Sequence, residues 1–154
     1  MKRFLTAAVL VLGIHGTVPA QTLRPMLTLD TASRVRDSCL AWAKERKLNV
    51  AIAVYDESGR MLTFARMDGA STAVSDIAMW KGRSAATYRS ASADTAKWNN
   101  PSFPGIATAG GGVPIFTADG QALGAIGVSG AQTEEDIACG ETAIASVSLR
   151  SKTP

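Results

Sequence analysis

Several side chains stand where their chemistry is out of place for an ordinary surface or core. Lys81 falls on the same helical sector as Val74, Ile77 and Ala78, an odd position for a solvated cation. Its reading is either a charged group serving a function or a salt bridge, with Asp68 and Asp76 as nearby acids. Gly110-Gly111-Gly112 has the permissiveness that lets backbone N–H groups approach an anion. The run opens onto Val113-Pro114 and follows no clear strand, so it lacks the strand-to-helix context of a nucleotide-binding loop. Glu134, Glu135, Asp136 and Glu141 make an acidic cluster at a helix start, which reads as dipole-complementing surface charge, since no EF-hand pattern accompanies it. Asp68 is expected to cap the helix that follows it. Cys39 and Cys139 are 100 residues apart, which excludes a CxxC motif and leaves either a disulfide or two buried thiols.

The elements that must position these groups alternate. Leu29 to about Lys47 has apolar residues at steps of three and four, including Ala32, Val35, Cys39 and Ala43, and predicts an amphipathic helix after Thr28. Val50–Tyr55 and Met61–Arg66 read as strands joined at Asp56-Glu-Ser-Gly59. A second helix is predicted from about Ser71 to Ser90. Residues 91–112 show no period and contain Pro101 and Pro104, a connection long enough to suggest function. Val113–Thr117 and Gln121–Ser129 flank Asp119-Gly120, the strongest hairpin signal in the chain. Thr133-Glu-Glu-Asp136 resembles a capping box before a last helix. Hairpins interleaved with helices predict an α+β fold.

The beginning of the chain reads differently. Lys2 and Arg3 precede an apolar run over Phe4–Ile14, and Val18-Pro19-Ala20 ends in a small residue, so residues 1–20 read as a secretory signal peptide and 21–154 as one domain. The expected location is therefore periplasmic or secreted, with no stable membrane insertion after cleavage. The whole chain holds 16 Lys+Arg against 13 Asp+Glu; without Lys2 and Arg3 the mature chain has 14 against 13, a net charge of +1. With no basic stripe, that balance argues against nucleic acid. The only histidine, His15, leaves with the signal segment, which removes a Ser-His-Asp triad, a histidine-bound zinc and the commonest haem ligand from the mature chain.

Six ordered pieces then match something known. Leu27-Thr-Leu29, Val54-Tyr-Asp56 with Gly59, Arg66-Met-Asp68-Gly69-Ala70, Ile77-Ala78 with Lys81 and Ala85-Ala86, Gly111-Gly-Val-Pro-Ile115, and Gly124–Gly130 followed by Glu135-Asp136-Ile-Ala138 resemble the GlcG/HbpS-like haem-binding family across the mature chain. The resemblance implies a profilin-like α+β domain whose five-stranded antiparallel sheet is flanked by helices in the order α-β-β-α-β-β-β-α, with Ile106–Ala109 supplying the fifth strand. It also implies a homo-oligomer that binds haem or a related tetrapyrrole outside the cytoplasm, with at most weak haem-degrading or redox activity. An alternative is a small enzyme or accessory subunit acting on a carboxylate metabolite, as in a glycolate-type operon, with Lys81 as its charge and the glycine loop as its oxyanion contact.

For haem, the residues offer each required part. Arg66, Lys81 and Arg83 suit the propionates. Met67 or Tyr88 is the expected axial ligand, with Met79 and Thr108 as further donors. Trp80, Trp98 and Phe103 suit stacking, and Gly111 and Gly112 a close backbone floor. The site is expected between the second helix and the 100–115 loop.

Overall fold

The computed structural model describes residues 23–154. The predicted signal segment, residues 1–20, lies outside them. Helix α1, Leu29–Glu45, starts where the Thr28 hydroxyl accepts the Thr31 N–H at 3.2 Å. Strands β1, Ala51–Asp56, and β2, Met61–Arg66, form the first hairpin. At its turn the Asp56 carboxylate accepts the N–H groups of Ser58 and Arg60. Helix α2, Thr72–Tyr88, is capped by Ser71, whose hydroxyl accepts the Val74 N–H. Asp68, the expected cap, is exposed in the preceding turn because the helix begins too far along for it to reach. A short helix α3, Ser92–Thr95, runs into a 3₁₀ turn at Ala96–Trp98. Strands β3, Gly112–Phe116, and β4, Ala122–Ser129, form the second hairpin, and α4, Thr133–Ala145, closes the order. The box at its start uses Gln132, one residue before the expected Thr133, with the Gln132 N–H donating to the Glu135 carboxylate at 3.2 Å.

The fold is α+β with an antiparallel sheet, but the sheet has four strands in the order β2-β1-β4-β3. The fifth strand expected at Ile106–Ala109 does not form. Ile106 and Ala107 are buried there, yet the backbone of Ala107 is bonded by side chains: its N–H donates to Ser84 Oγ at 2.8 Å and its carbonyl accepts Thr95 Oγ1 at 2.8 Å. Hydroxyls on α2 and α3 thus take the place of a neighbouring strand. The free edge of β3 is closed in another way. Gly112 N–H goes to Ser92 Oγ, Pro114 has no N–H, and Phe116 pairs with Arg150 from the C-terminal segment.

The two faces of the sheet differ in side-chain size, and that difference decides what packs on each. Ile52, Val54, Val113, Ile115, Ile126 and Val128 form the main core with α1 and α4. There Cys39 of α1 and Cys139 of α4 are joined as a disulfide, with Cα atoms 5.1 Å apart. The other face presents Ala53, Ala125 and Gly127, and α2 lies against it. A Cβ on Gly127 would overlap the Ala78 carbonyl, and one on Gly82 would meet Gly127 N at 2.9 Å. Small residues on both sides therefore let α2 approach the sheet backbone closely.

Candidate functional site

Where α2 passes beyond these small residues, Tyr55 is the one large side chain left under it. It lies at the end of β1, paired with Ala125 of β4, and its ring packs against Gly82. Beside it opens a cavity of about 650 Å³, within the usual size range of small-molecule sites. Met79, Trp80 and Arg83 line it from α2, and Pro104 and Gly105 from the loop before β3. Next to that loop is an aromatic wall. Tyr88 stacks on Phe103 with centroids 6.2 Å apart and planes 12° apart, and Trp98 meets both edge-on at 6.0 and 6.4 Å. The Tyr88 hydroxyl donates to the Pro104 carbonyl at 2.8 Å, fixing the loop to the helix.

Electrostatically the cavity is simple. Arg83 is its one charged lining residue, and it is exposed. Burial pushes the Tyr55 phenol above its ordinary range, while the nearby Arg83 charge works in the opposite direction. Walls of apolar surface with one cation suit a flat, largely apolar ligand that carries a carboxylate.

The residues expected from sequence are scattered over the molecule. Tyr88 and Phe103 form the wall just described. Met67 is half-buried against the α1/α4 core, on the far side of the sheet from the cavity. Arg66 is exposed at the end of β2, opposite Ala51, and Thr108 is exposed beyond the cavity lining. Lys81, Gly111 and Gly112 are brought together, but inside the fold. Lys81 is 4% exposed; its Nζ donates to Asp136 Oδ2 at 2.9 Å and to the Val128 carbonyl at 3.2 Å. A Cβ on Gly111, whose φ is +117°, would lie 2.9 Å from Lys81 Nζ, so only glycine fits over the ammonium.

The partner of Lys81 is therefore neither Asp68 nor Asp76. Asp136 is 2% exposed, not surface charge, and its second oxygen accepts the Ala131 N–H at 3.2 Å. Burial pushes its carboxyl up, against the pull of Lys81. Among the described residues no group of His, Cys, Asp and Glu is arranged to hold a metal ion.

Sequence reasoning missed Tyr55 as a site residue. The available signal was the alternation Ala51, Ala53, Tyr55 on one face of β1, two small residues followed by a large one.

Fold and cavity together define a small α+β domain with a ligand-sized cavity between a helix and a loop. The chain belongs to the HbpS-like family, described as haem degrading protein HbpS-like, which matches residues 27–145. A 15.0 kDa uncharacterized protein of the dhaT-dhaS intergenic region of Citrobacter freundii is 31% identical over 128 residues, covering 77% of this chain and 89% of the relative. A double mutant of HbpS from Streptomyces reticuli superposes with a TM-score of 0.75 at 26% identity, covering 88% of this chain and 97% of that one. The fold is also that of PduOC in its haem complex, with a TM-score of 0.76 at 21% identity over 84% of this chain and all (100%) of the other.

Proposed function

We propose that this protein binds haem in the cavity between α2 and the 99–105 loop, acting outside the cytoplasm after loss of residues 1–20. The observation that carries the reading is the cavity of about 650 Å³, with apolar and aromatic lining and a single charged residue, Arg83. Haem has the matching chemistry, a broad apolar ring edged by carboxylates. The family's description as haem degrading and the haem complex of a protein with this fold support the choice of ligand. The disulfide between α1 and α4 supports export, because such a bond persists in oxidising compartments.

In this reading Arg83 pairs with a propionate and Trp80 bounds the ring, while the Tyr88–Phe103 stack supports the loop that carries Pro104 and Gly105. The bound group would supply redox chemistry at iron; the protein's part is to hold it and limit water on its faces. Self-association is part of the proposal, with the exposed Met61 and Phe64 of β2, 42% and 36% accessible, as apolar surface available for it. The carboxylate-metabolite reading draws no support from the geometry, because Lys81 and the Gly112 N–H are both engaged within the fold.

Titration of the purified protein with hemin is expected to give a saturable Soret shift. Arg83→Gln should weaken binding by about fivefold, the value of roughly 1 kcal/mol for a partly exposed ion pair. Absence of a saturable shift in the unaltered protein would overturn the reading.

A further inference from the structure

Tyr55 is unusual among the polar side chains of this molecule. The residue is only 5% exposed and its ring is held between β4 and Gly82, yet its hydroxyl has no hydrogen-bond partner among the described residues. Every fully buried side-chain nitrogen or oxygen among those residues does have one. The hydroxyl must therefore reach the open space beside it, and that space is the cavity, which Tyr55 lines together with Met79 and Arg83. A rigidly packed side chain with one free polar atom facing a ligand-sized cavity is a preorganised contact.

Resting on the haem reading above, we propose that Tyr55 is the axial ligand, binding ferric iron through its phenolate oxygen. No histidine lies among the described residues, and the other donors are less well suited. Met67 lies on the far side of the sheet, the Tyr88 hydroxyl is occupied by Pro104, and Met79, which also lines the cavity, offers a soft thioether that suits ferric iron less well than a phenolate oxygen. Ferric iron is a hard cation that takes a tyrosine oxygen, and tyrosine is an established proximal haem ligand. On binding, the O–H bond breaks, the proton passes to solvent and an oxygen electron pair forms the bond to iron, with no change of oxidation state. Burial raises the phenol above its ordinary range and so favours the protonated form, and a bound cation reverses that preference. Arg83, the one charged residue on the cavity wall, favours the phenolate further.

The test is visible absorption and resonance Raman of the full protein loaded with hemin. The unaltered protein should show the phenolate-to-iron charge-transfer band and tyrosinate vibrations. Tyr55→Phe keeps the ring and its packing; it should lose both signals and bind hemin about 10- to 100-fold more weakly. Met67→Leu, on the far side of the sheet from the cavity, should keep both. Circular dichroism of each variant confirms that the fold is retained. Persistence of the signals in Tyr55→Phe overturns the assignment while leaving haem binding intact. A thioether-type low-spin spectrum that disappears in Met79→Leu does the same. Failure of hemin to bind the unaltered protein instead removes the haem reading itself and the ligand assignment with it.

Discussion

Two buried polar residues, Lys81 and Tyr55, have opposite fates in this protein. Lys81 is fully spent: its ammonium binds Asp136 and Val128 and ties α2 to α4 and β4. Removing one partner leaves the other charge buried and uncompensated. Asp136→Asn or Lys81→Met should therefore cost about 3–5 kcal/mol in urea unfolding, whereas the apolar pair Lys81→Met with Asp136→Leu should recover most of the loss. The position of Lys81 on an apolar helical sector was legible in the sequence. Its partner was not, because Asp136 is distant along the chain and sits among acids that do face solvent. Tyr55 carries the complementary prediction. Its phenol is held above the ordinary value of 10.0 mainly by burial, so the folded state retains that proton more strongly than the unfolded chain. In ligand-free protein this contribution to stability is whole below the ordinary tyrosine range and is lost as pH rises through that value toward the raised one. Tyr55→Phe should flatten the alkaline part of the stability profile, measured by denaturation at a series of pH values.

The elements themselves were largely readable, because their signals are local. Helical periodicity gave α1 and α2 to within about two residues, and the Asp119-Gly120 turn gave the β3–β4 hairpin. What failed was the segment whose backbone is satisfied from a distance. Ile106–Ala109 has the composition of a strand, but Ser84 and Thr95 decide its hydrogen bonds, and no short-range pattern reveals them. The closeness of α2 to the sheet is another long-range fact, set by Gly82 facing Gly127. Gly127→Ala puts a methyl into the Ala78 carbonyl and must lift α2, at a cost of about 1–3 kcal/mol. Because α2 carries Met79, Trp80 and Arg83, the same change should weaken hemin binding in a titration. Gly105→Ala is the contrasting case. Its Cβ would meet nothing within 4 Å, and only the positive φ of +71° opposes it, so its cost should stay near 1 kcal/mol.

At the scale of the whole molecule, the sheet separates what stabilises the protein from what the cavity does. The Cys39–Cys139 bond lies in the α1/α4 layer on one face, and the cavity lies under α2 on the other. Sequence spacing could not decide between a bridge and two thiols, since the deciding quantity is a Cα separation that only the packing of α1 on α4 provides. The bond closes a loop of 100 residues, for which the chain-entropy account gives about 4.7 kcal/mol. Replacing both cysteines with alanine should therefore lower unfolding free energy by about 2–5 kcal/mol, and a reducing agent should destabilise the unaltered protein by a similar amount. Hemin affinity of the molecules that remain folded should change little, because Tyr55, Arg83 and the aromatic wall are held by α2, β1 and the 99–105 loop rather than by the α1–α4 contact. Denaturation and hemin titration on the same cysteine-free sample measure the two effects separately. A large loss of affinity in a sample still folded by circular dichroism would mean that the two faces of the sheet are coupled, and that the cavity depends on the disulfide layer behind it.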